Sequence, residues 1–248
     1  MLDVSNDDGV RVLAFDRPDV RNAFNFPLYR AVTEAIADAT ADPATRVVVL
    51  TGRGSAFTAG QDLKEMAEIA AGTAPAGIEK GFRGLLDAVD RLDKPLLAAV
   101  NGPAIGLGFT ILAHCDLVLV AESARLRVPF AEMGVPPEAA SSYLFPVLMG
   151  RQAAARVLLA ADWVTADEAV ELGIAVQVSP DDRVLDDTVA LARRIAGFPP
   201  AAVQAIKRLL RAPHAAAVHE ARAREDEAFR LAFGRPAGPA ETTAPSVH

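Results

Sequence analysis

Cysteine is almost absent from this chain: Cys115 stands alone among 248 residues. An intrachain disulfide and a cysteine-built metal cluster are therefore both excluded, and a reducing compartment is expected. Cations are in deficit. Lys and Arg number 25 against 32 Asp and Glu, a formal charge of −7. That argues against a general nucleic-acid binder, because phosphate contacts need an excess of cations. Long apolar runs are missing too. The longest are short, such as Leu117-Val118-Leu119-Val120-Ala121, far below the roughly 18–20 residues of a membrane span. The acidic start, Met1-Leu2-Asp3-Val4-Ser5-Asn6-Asp7-Asp8, lacks the apolar segment of a secretory signal. Ser246-Val247-His248 is not the peroxisomal Ser-Lys-Leu address. The expectation is a cytoplasmic protein that binds neither membrane nor nucleic acid. No histidine pair has zinc spacing and no Gly-x-Ser-x-Gly elbow is present, so no metal site and no serine nucleophile are expected.

What remains is ordinary globular composition, with 51% hydrophobic and 23% charged residues. A chain of this length buries enough surface to need no staples. The first half alternates strand-like and helix-like segments, which points to α/β architecture. Strands are expected over 9–16, 46–51, 96–100, 116–121 and 124–128. Val47-Val48-Val49-Leu50 is unbroken and suits a strand buried on both faces of a parallel sheet. Helices are expected over 27–40, 62–71, 78–92 and 105–114, with a mobile loop over 72–77. The second half reads as mostly helical. Thr165-Ala166-Asp167-Glu168 is a capping box whose helix should stop at Gly173. A strand over 174–178 and helices over 181–196, 200–210 and 215–233 follow. The Gly-, Pro- and Thr-rich end from Gly234 is expected to be disordered.

Three segments could carry chemistry. Ala59-Gly60-Gln61-Asp62-Leu63 is a glycine turn entering a helix, where backbone donors face outward and attract a negatively charged oxygen; alone, it also reads as a plain turn with Asp62 as N-cap. Asn101-Gly102-Pro103-Ala104-Ile105-Gly106-Leu107-Gly108 repeats the arrangement after another buried strand. It is neither a dinucleotide fingerprint nor a P-loop, and close helix–strand packing would also explain it. In Met133-Gly134-Val135-Pro136-Pro137-Glu138 a carboxylate sits among prolines and apolar residues. Desolvation would raise its pKa toward that of a general base; alternatively it is a first-turn acid opposing a helix dipole. Lys207, Arg208 and Arg211 form a cationic face, either merely solvated or a phosphate contact.

The ordered set of Arg21-Asn22-Ala23-Phe24-Asn25, Phe57-Thr58-Ala59-Gly60-Gln61-Asp62-Leu63, Lys94-Pro95, Ala99-Val100-Asn101-Gly102, Gly106-Leu107-Gly108, Cys115-Asp116 and Leu159 to Gly173 resembles the enoyl-CoA hydratase/isomerase (crotonase) superfamily over roughly residues 9 to 210. The resemblance implies an α/β spiral of repeated ββα turns with a helical C-terminal trimerisation region. It implies a catalytic core over 1–197, a helical assembly region over 198–233, a tail over 234–248, and a homotrimer or dimer of trimers. It also implies an acyl-CoA thioester substrate, with coenzyme A as part of the substrate and no separate cofactor. The backbone N–H groups of Gln61 and Leu107 would form an oxyanion hole. Arg21, Ala23, Ala59, Gly60, Asp62, Leu63, Gly106, Phe130 and Lys207 would line the CoA and acyl site. Gln61 replaces a small residue common in the family, and its side chain would narrow the acyl pocket.

Family hydratases carry two glutamates. The matching positions here are Thr110 and Phe130, which cannot do acid–base work. The run from Met133 to Pro146 instead resembles the peroxisomal-type Δ3,Δ2-enoyl-CoA isomerase pattern, in which the glutamate matching Glu138 is the catalytic acid/base. The resemblance therefore implies an isomerase. A hydratase using Glu138 with water, or a non-catalytic acyl-CoA-binding protein, are the alternatives. An acidic protein binding a polyanionic CoA ester would need local cations such as Arg21, Lys64 or Lys207.

Overall fold

Unbroken Val, Leu and Ala runs become the central strands of the computed structural model, which describes residues 1–71, 73 and 79–233. The loop expected over 72–77, apart from Thr73, and the tail from Gly234 lie outside the described residues. In chain order the strands are β1 (Leu2–Asp7), β2 (Val10–Phe15), β3 (Val47–Gly52), β4 (Leu96–Val100), β5 (Ala104–Ile105), β6 (Leu117–Ala121), β7 (Arg125–Arg127), β8 (Val164–Thr165) and β9 (Gln177–Ser179). The helices are α1 (Phe26–Ala41), α2 (Leu63–Ala70), α3 (Glu79–Arg91), α4 (Leu107–Thr110), α5 (Phe130–Met133), α6 (Ser141–Leu159), α7 (Ala166–Glu171), α8 (Val184–Ala196), α9 (Pro200–Arg211) and α10 (Ala215–Phe233).

The large sheet has the order β1-β2-β3-β4-β6-β9 and is parallel from β2 onward. A second, small sheet runs β5-β7-β8. Single bridges pair Thr58 with Ala104 and Phe24 with Gln61 in parallel. Successive chain turns thus repeat one pattern: a strand in the large sheet, a short strand or bridge in the second layer, then a helix. β3, Thr58 and α2 make one turn; β4, β5 and α4 make the next; β6, β7 and α5 make a third. This is the expected ββα spiral.

Burial follows from the sequence pattern. Val47 to Leu50 and Leu96 to Val100 are enclosed on both faces, as parallel strands covered by helices must be. Asn25 caps α1, accepting from the Leu28 N–H at 3.1 Å, and Leu28, Val32, Ile36 and Ala39 turn inward. Phe15, Phe24 and Phe57 cluster beneath the loops described below, with ring centroids 4.9 and 5.4 Å apart. The capping box at Thr165 and Glu168 is present.

Three elements depart from expectation. β1 pairs antiparallel with β2 through an Asp8-Gly9 turn with φ of 46° and 79°. The long helix expected over 105–114 is instead β5, a four-residue α4 and a 3-10 turn over Ile111–His114. Pairing of Ile105 with Arg127 and the Gly106 backbone (φ 54°) prevent an earlier start. α6 runs 19 residues past Pro146 and kinks at Gly150, whose φ of 76° and ψ of 159° are not helical.

Candidate active site

Two loops meet at the C-terminal ends of β3 and β4. The first is laced to the segment after β2. The Ala59 N–H donates to Arg21 O at 2.9 Å, the Phe24 N–H to Gly60 O at 2.7 Å, and the Asp62 N–H to Phe24 O at 2.9 Å. Gly60 has a φ of +85°, and a Cβ there would lie 2.6 Å from Ile105 O and 3.6 Å from Leu107 N. Glycine is required at this contact both for its dihedral and for the approach of the second loop. Gly108 serves a similar approach one residue into the helix: its Cβ would sit 2.7 Å from Thr58 Cγ2. The sequence-level alternative of close helix–strand packing is therefore true of Gly108, and it brings the two loops together.

This lacing leaves amide donors over on both loops. Among the described residues the Gln61 and Leu107 amide N–H groups have no acceptor, nor do those of Leu63 and Gly108 in the first turns of α2 and α4, whereas the Ala59, Gly60, Asp62, Ile105, Gly106 and Phe109 amides are bonded. The first amides of a helix have no intrahelical partner and point outward. Two on adjoining loops can together stabilise one oxygen that gains negative charge, each worth about 3–4 kcal/mol where such donors have been removed.

The Gln61 side chain is fixed as well. Its Oε1 accepts from the Tyr29 hydroxyl at 2.6 Å, and its Nε2 donates to Glu65 Oε2 at 2.9 Å. Glu65 Oε1 accepts from the Phe26 N–H at 2.8 Å. Burial pushes the Tyr29 hydroxyl well above its usual pKa, and the charges of Glu138 and Glu65 add to the rise. Glu138 thus lies within electrostatic reach of the hydroxyl that holds Gln61.

Glu138 is partly buried in the turn before α6. It is followed by Ala139 and Ala140, both at φ 57°, and α6 starts only at Ser141. The expectation of a first-turn acid fails: Glu138 precedes the N-cap Ala140. Its carboxyl has no hydrogen-bond partner among the described residues. Burial pushes its pKa from 4.5 to about 7, and the charge of Glu225 adds to the rise. A carboxyl so placed can take and return a proton near neutral pH. Nearby, the Ser141 hydroxyl is the one buried side-chain polar atom without a partner among the described residues.

The remaining expected site residues divide. Arg21 is exposed and in the left-handed region (φ 51°); it contributes its carbonyl to the lacing. Ala23 is buried and accepts from the Arg17 guanidinium. Leu63 is 71% exposed at the start of α2, and Phe130 is buried in the core at the start of α5. Asp62 is occupied, as N-cap for the Lys64 N–H at 3.1 Å and as ion-pair partner of Arg17 at 3.1 Å. Lys207 corrects the sequence reading outright. Its side chain is 4% exposed, and its ammonium donates to Lys94 O at 2.7 Å and Asp116 Oδ2 at 2.8 Å. It is a buried structural cation with no freedom to meet a phosphate. Sequence reasoning also assigned no role to Tyr29, Glu65, Asn22 or Glu225. Asn22 is fully buried, accepts from the Arg17 N–H and donates to Arg53 O and Ala56 O, so it holds the first loop's entry. A cavity of about 330 Å³ between Arg46, Lys94, Phe198 and Val203 lies away from both loops.

An α/β spiral whose paired loops carry these glycines defines an enzyme of the crotonase superfamily. The enoyl-CoA hydratase/isomerase family model matches residues 5–235, and the chain belongs to that family. It is 31% identical over 231 residues to human enoyl-CoA delta isomerase 2, covering 90% of this chain and 57% of that protein. It is 33% identical over 230 residues to 2,3-dehydroadipyl-CoA hydratase of Escherichia coli K12, covering 93% and 89%. The chain spans little more than half the length of the human and rat isomerases, 57% and 54%. Among solved structures, an enoyl-CoA hydratase/isomerase from Pseudoalteromonas atlantica superposes with a TM-score of 0.88 at 35% identity, covering 94% of this chain and 92% of that one.

Proposed function

We propose that this enzyme is a Δ3,Δ2-enoyl-CoA isomerase with Glu138 as its single acid/base. Ionised Glu138 takes a proton from the α carbon of a 3-enoyl-CoA. The electron pair moves into a dienolate whose oxygen accepts from the Gln61 and Leu107 N–H groups. Protonated Glu138 then returns the proton to the γ carbon, giving the 2-enoyl-CoA. Every atom that moves is one proton on one carboxyl, and coenzyme A enters as part of the substrate.

One observation carries this reading: an unpartnered carboxyl raised to about 7, within electrostatic reach of the Tyr29 hydroxyl that holds Gln61 on one of two loops with spare amide donors. The positions where family hydratases carry glutamate are Thr110 and Phe130 here, and both are buried. A relative named isomerase, the human protein, is consistent with it. The E. coli relative named hydratase favours a second reading, water addition assisted by Glu138. Assembly into a trimer is part of the proposal, supported by Ile206, Leu209 and Leu210 of α9, which are 58–74% exposed.

The test is to supply purified protein with 3-enoyl- and 2-enoyl-CoA and to follow double-bond movement and water uptake separately. Double-bond movement without hydration is expected. Glu138→Gln should lose at least ~100-fold in turnover, the scale of a general base, with thioester binding retained. Conversion of the 2-enoyl ester alone, to a hydroxyacyl product, would establish the hydratase reading; tight binding with no turnover of either ester would establish the non-catalytic one.

A further inference from the structure

We propose that Glu225, on α10, is a positioning residue for Glu138: it clamps the left-handed turn that follows Glu138 and sets a second buried carboxyl against that turn. The proposal rests on the acid/base role proposed above.

The geometry begins with two consecutive non-glycine residues in the left-handed region, Ala139 and Ala140. Such backbone is disfavoured and persists only where the surroundings hold it. Glu225 is 6% exposed and does the holding from one side. Its Oε2 accepts from the Ala140 N–H at 2.7 Å, and its Oε1 accepts from the Ser142 N–H at 2.9 Å and the Ser142 hydroxyl at 2.6 Å. On the other side, His114 Nε2 donates to Ala139 O at 2.7 Å. The two residues of the turn are thus fixed by side chains from α10 and from the 3-10 turn after α4. A small apolar cluster of Ala140, Leu144 and Ala221 seals α10 against α6 here.

Several charged or titratable groups surround the site. Tyr29 faces Glu138 from α1, and Glu65 on α2 lies behind the Gln61 bridge. His114 is held toward its neutral form by burial. Asp90 on α3, paired with Arg211 of α9 and Arg222 of α10, sits beyond it. Of these, Glu225 is the charge that raises the pKa of Glu138 alongside burial. A like charge disfavours ionisation of its neighbour. Glu225 therefore couples two things a base needs, a fixed direction and a matched proton affinity, and it does so from the C-terminal helix.

The test compares wild type with Glu225→Gln, Glu225→Asp and Ser142→Ala. Glu138 is titrated in the ligand-free protein by carboxyl ¹³C NMR, its resonance assigned by its loss in Glu138→Gln. The pH profile of kcat/KM for a 3-enoyl-CoA is recorded in parallel. In Glu225→Gln the Glu138 midpoint should fall by about half to one pH unit, carrying the acid limb of the profile with it, while the plateau drops about tenfold. Glu225→Asp should restore the midpoint. Ser142→Ala keeps the charge and loosens the clamp, so it should lower the plateau and leave the midpoint unmoved. An unmoved midpoint in folded Glu225→Gln overturns the charge role; an unchanged plateau in Ser142→Ala and Glu225→Asp overturns the clamp and stands even should Glu225→Gln fail to fold. Because the titration needs no turnover, an active Glu138→Gln enzyme would sink the acid/base reading separately.

Discussion

Replacing Glu138 by Gln should stabilise the folded protein above neutral pH while abolishing its chemistry. The carboxyl is raised from 4.5 to about 7, first by burial and then by the charge of Glu225. A difference of that size corresponds to roughly 3 kcal/mol between the folded and unfolded states. The side chain keeps partial contact with solvent, so screening reduces the expected effect to about 1–2 kcal/mol. Below about pH 4.5 the group is neutral in both states and contributes nothing. Between 4.5 and 7 the folded chain holds a proton that the unfolded chain has released, so wild-type stability falls as pH rises; above 7 the penalty is complete. Glutamine is neutral throughout. Urea unfolding, followed by the fluorescence of the single tryptophan, Trp163, would be measured for both proteins from pH 4.5 to 8.5. The gap should open from near zero across pH 4.5–7 and then stay constant. A gap that does not change with pH, or a wild type more stable than the variant at pH 8, would refute the account of Glu138 as a desolvated carboxyl.

Gly60→Ala should destabilise the protein by about 2 kcal/mol or more and remove most turnover. Its φ of +85° disfavours a side chain, and the added Cβ would meet Ile105 O at 2.6 Å, prising the two loops apart; wild-type activity in that variant would mean the loop contact is dispensable. Lys207→Ala should lower stability by about 3 kcal/mol, because it leaves the Asp116 carboxylate without its buried cation, yet leave affinity for CoA esters unchanged in titration calorimetry. Weakened ester binding at unchanged stability would return Lys207 to the ligand site.

The spiral was legible in the sequence where burial is two-sided. β3 and β4 are unbroken apolar runs because parallel strands under helices touch no water. α1 announced itself through Asn25 and Pro27, and α7 through its capping box. β1 was not legible from hydropathy because it is an edge strand whose last four residues are exposed; the signal that could have found it is the Asp8-Gly9 hairpin dipeptide. α6 was hidden by Pro146 and Gly150, which punctuate a helix the fold nonetheless continues across a kink. In the site, the glycine turns and Glu138 were visible as local motifs. The partners that fix them were not. Tyr29 reaches Gln61 across 32 positions and Glu225 reaches Ala140 across 85, separations that leave no periodic trace. Lys207 misled for a related reason: on an amphipathic helix a lysine reads as solvated, and nothing local reveals an aspartate 91 positions earlier waiting beneath it.

The net charge of −7 sharpens the argument about where a polyanionic thioester could be held. With Lys207 spent on Asp116 and Arg17 on Asp62, the cations near the first loop reduce to Arg21 and Lys64. Both are exposed, and among the described residues neither has an ion-pair partner. Both are also bound by backbone to the loop that presents Gln61: Arg21 O accepts from the Ala59 N–H, and the Lys64 N–H donates to Asp62. An attractive field in an otherwise repelling protein is most effective when it is local and fixed relative to the reacting atoms. Arg21 and Lys64 thus lie on the two segments that bracket the Gln61 amide, one after β2 and one at the start of α2. With the Gln61 N–H receiving the thioester oxygen as proposed, the same hydrogen bonds that leave it free would also fix the backbone from which these cations would reach the phosphates.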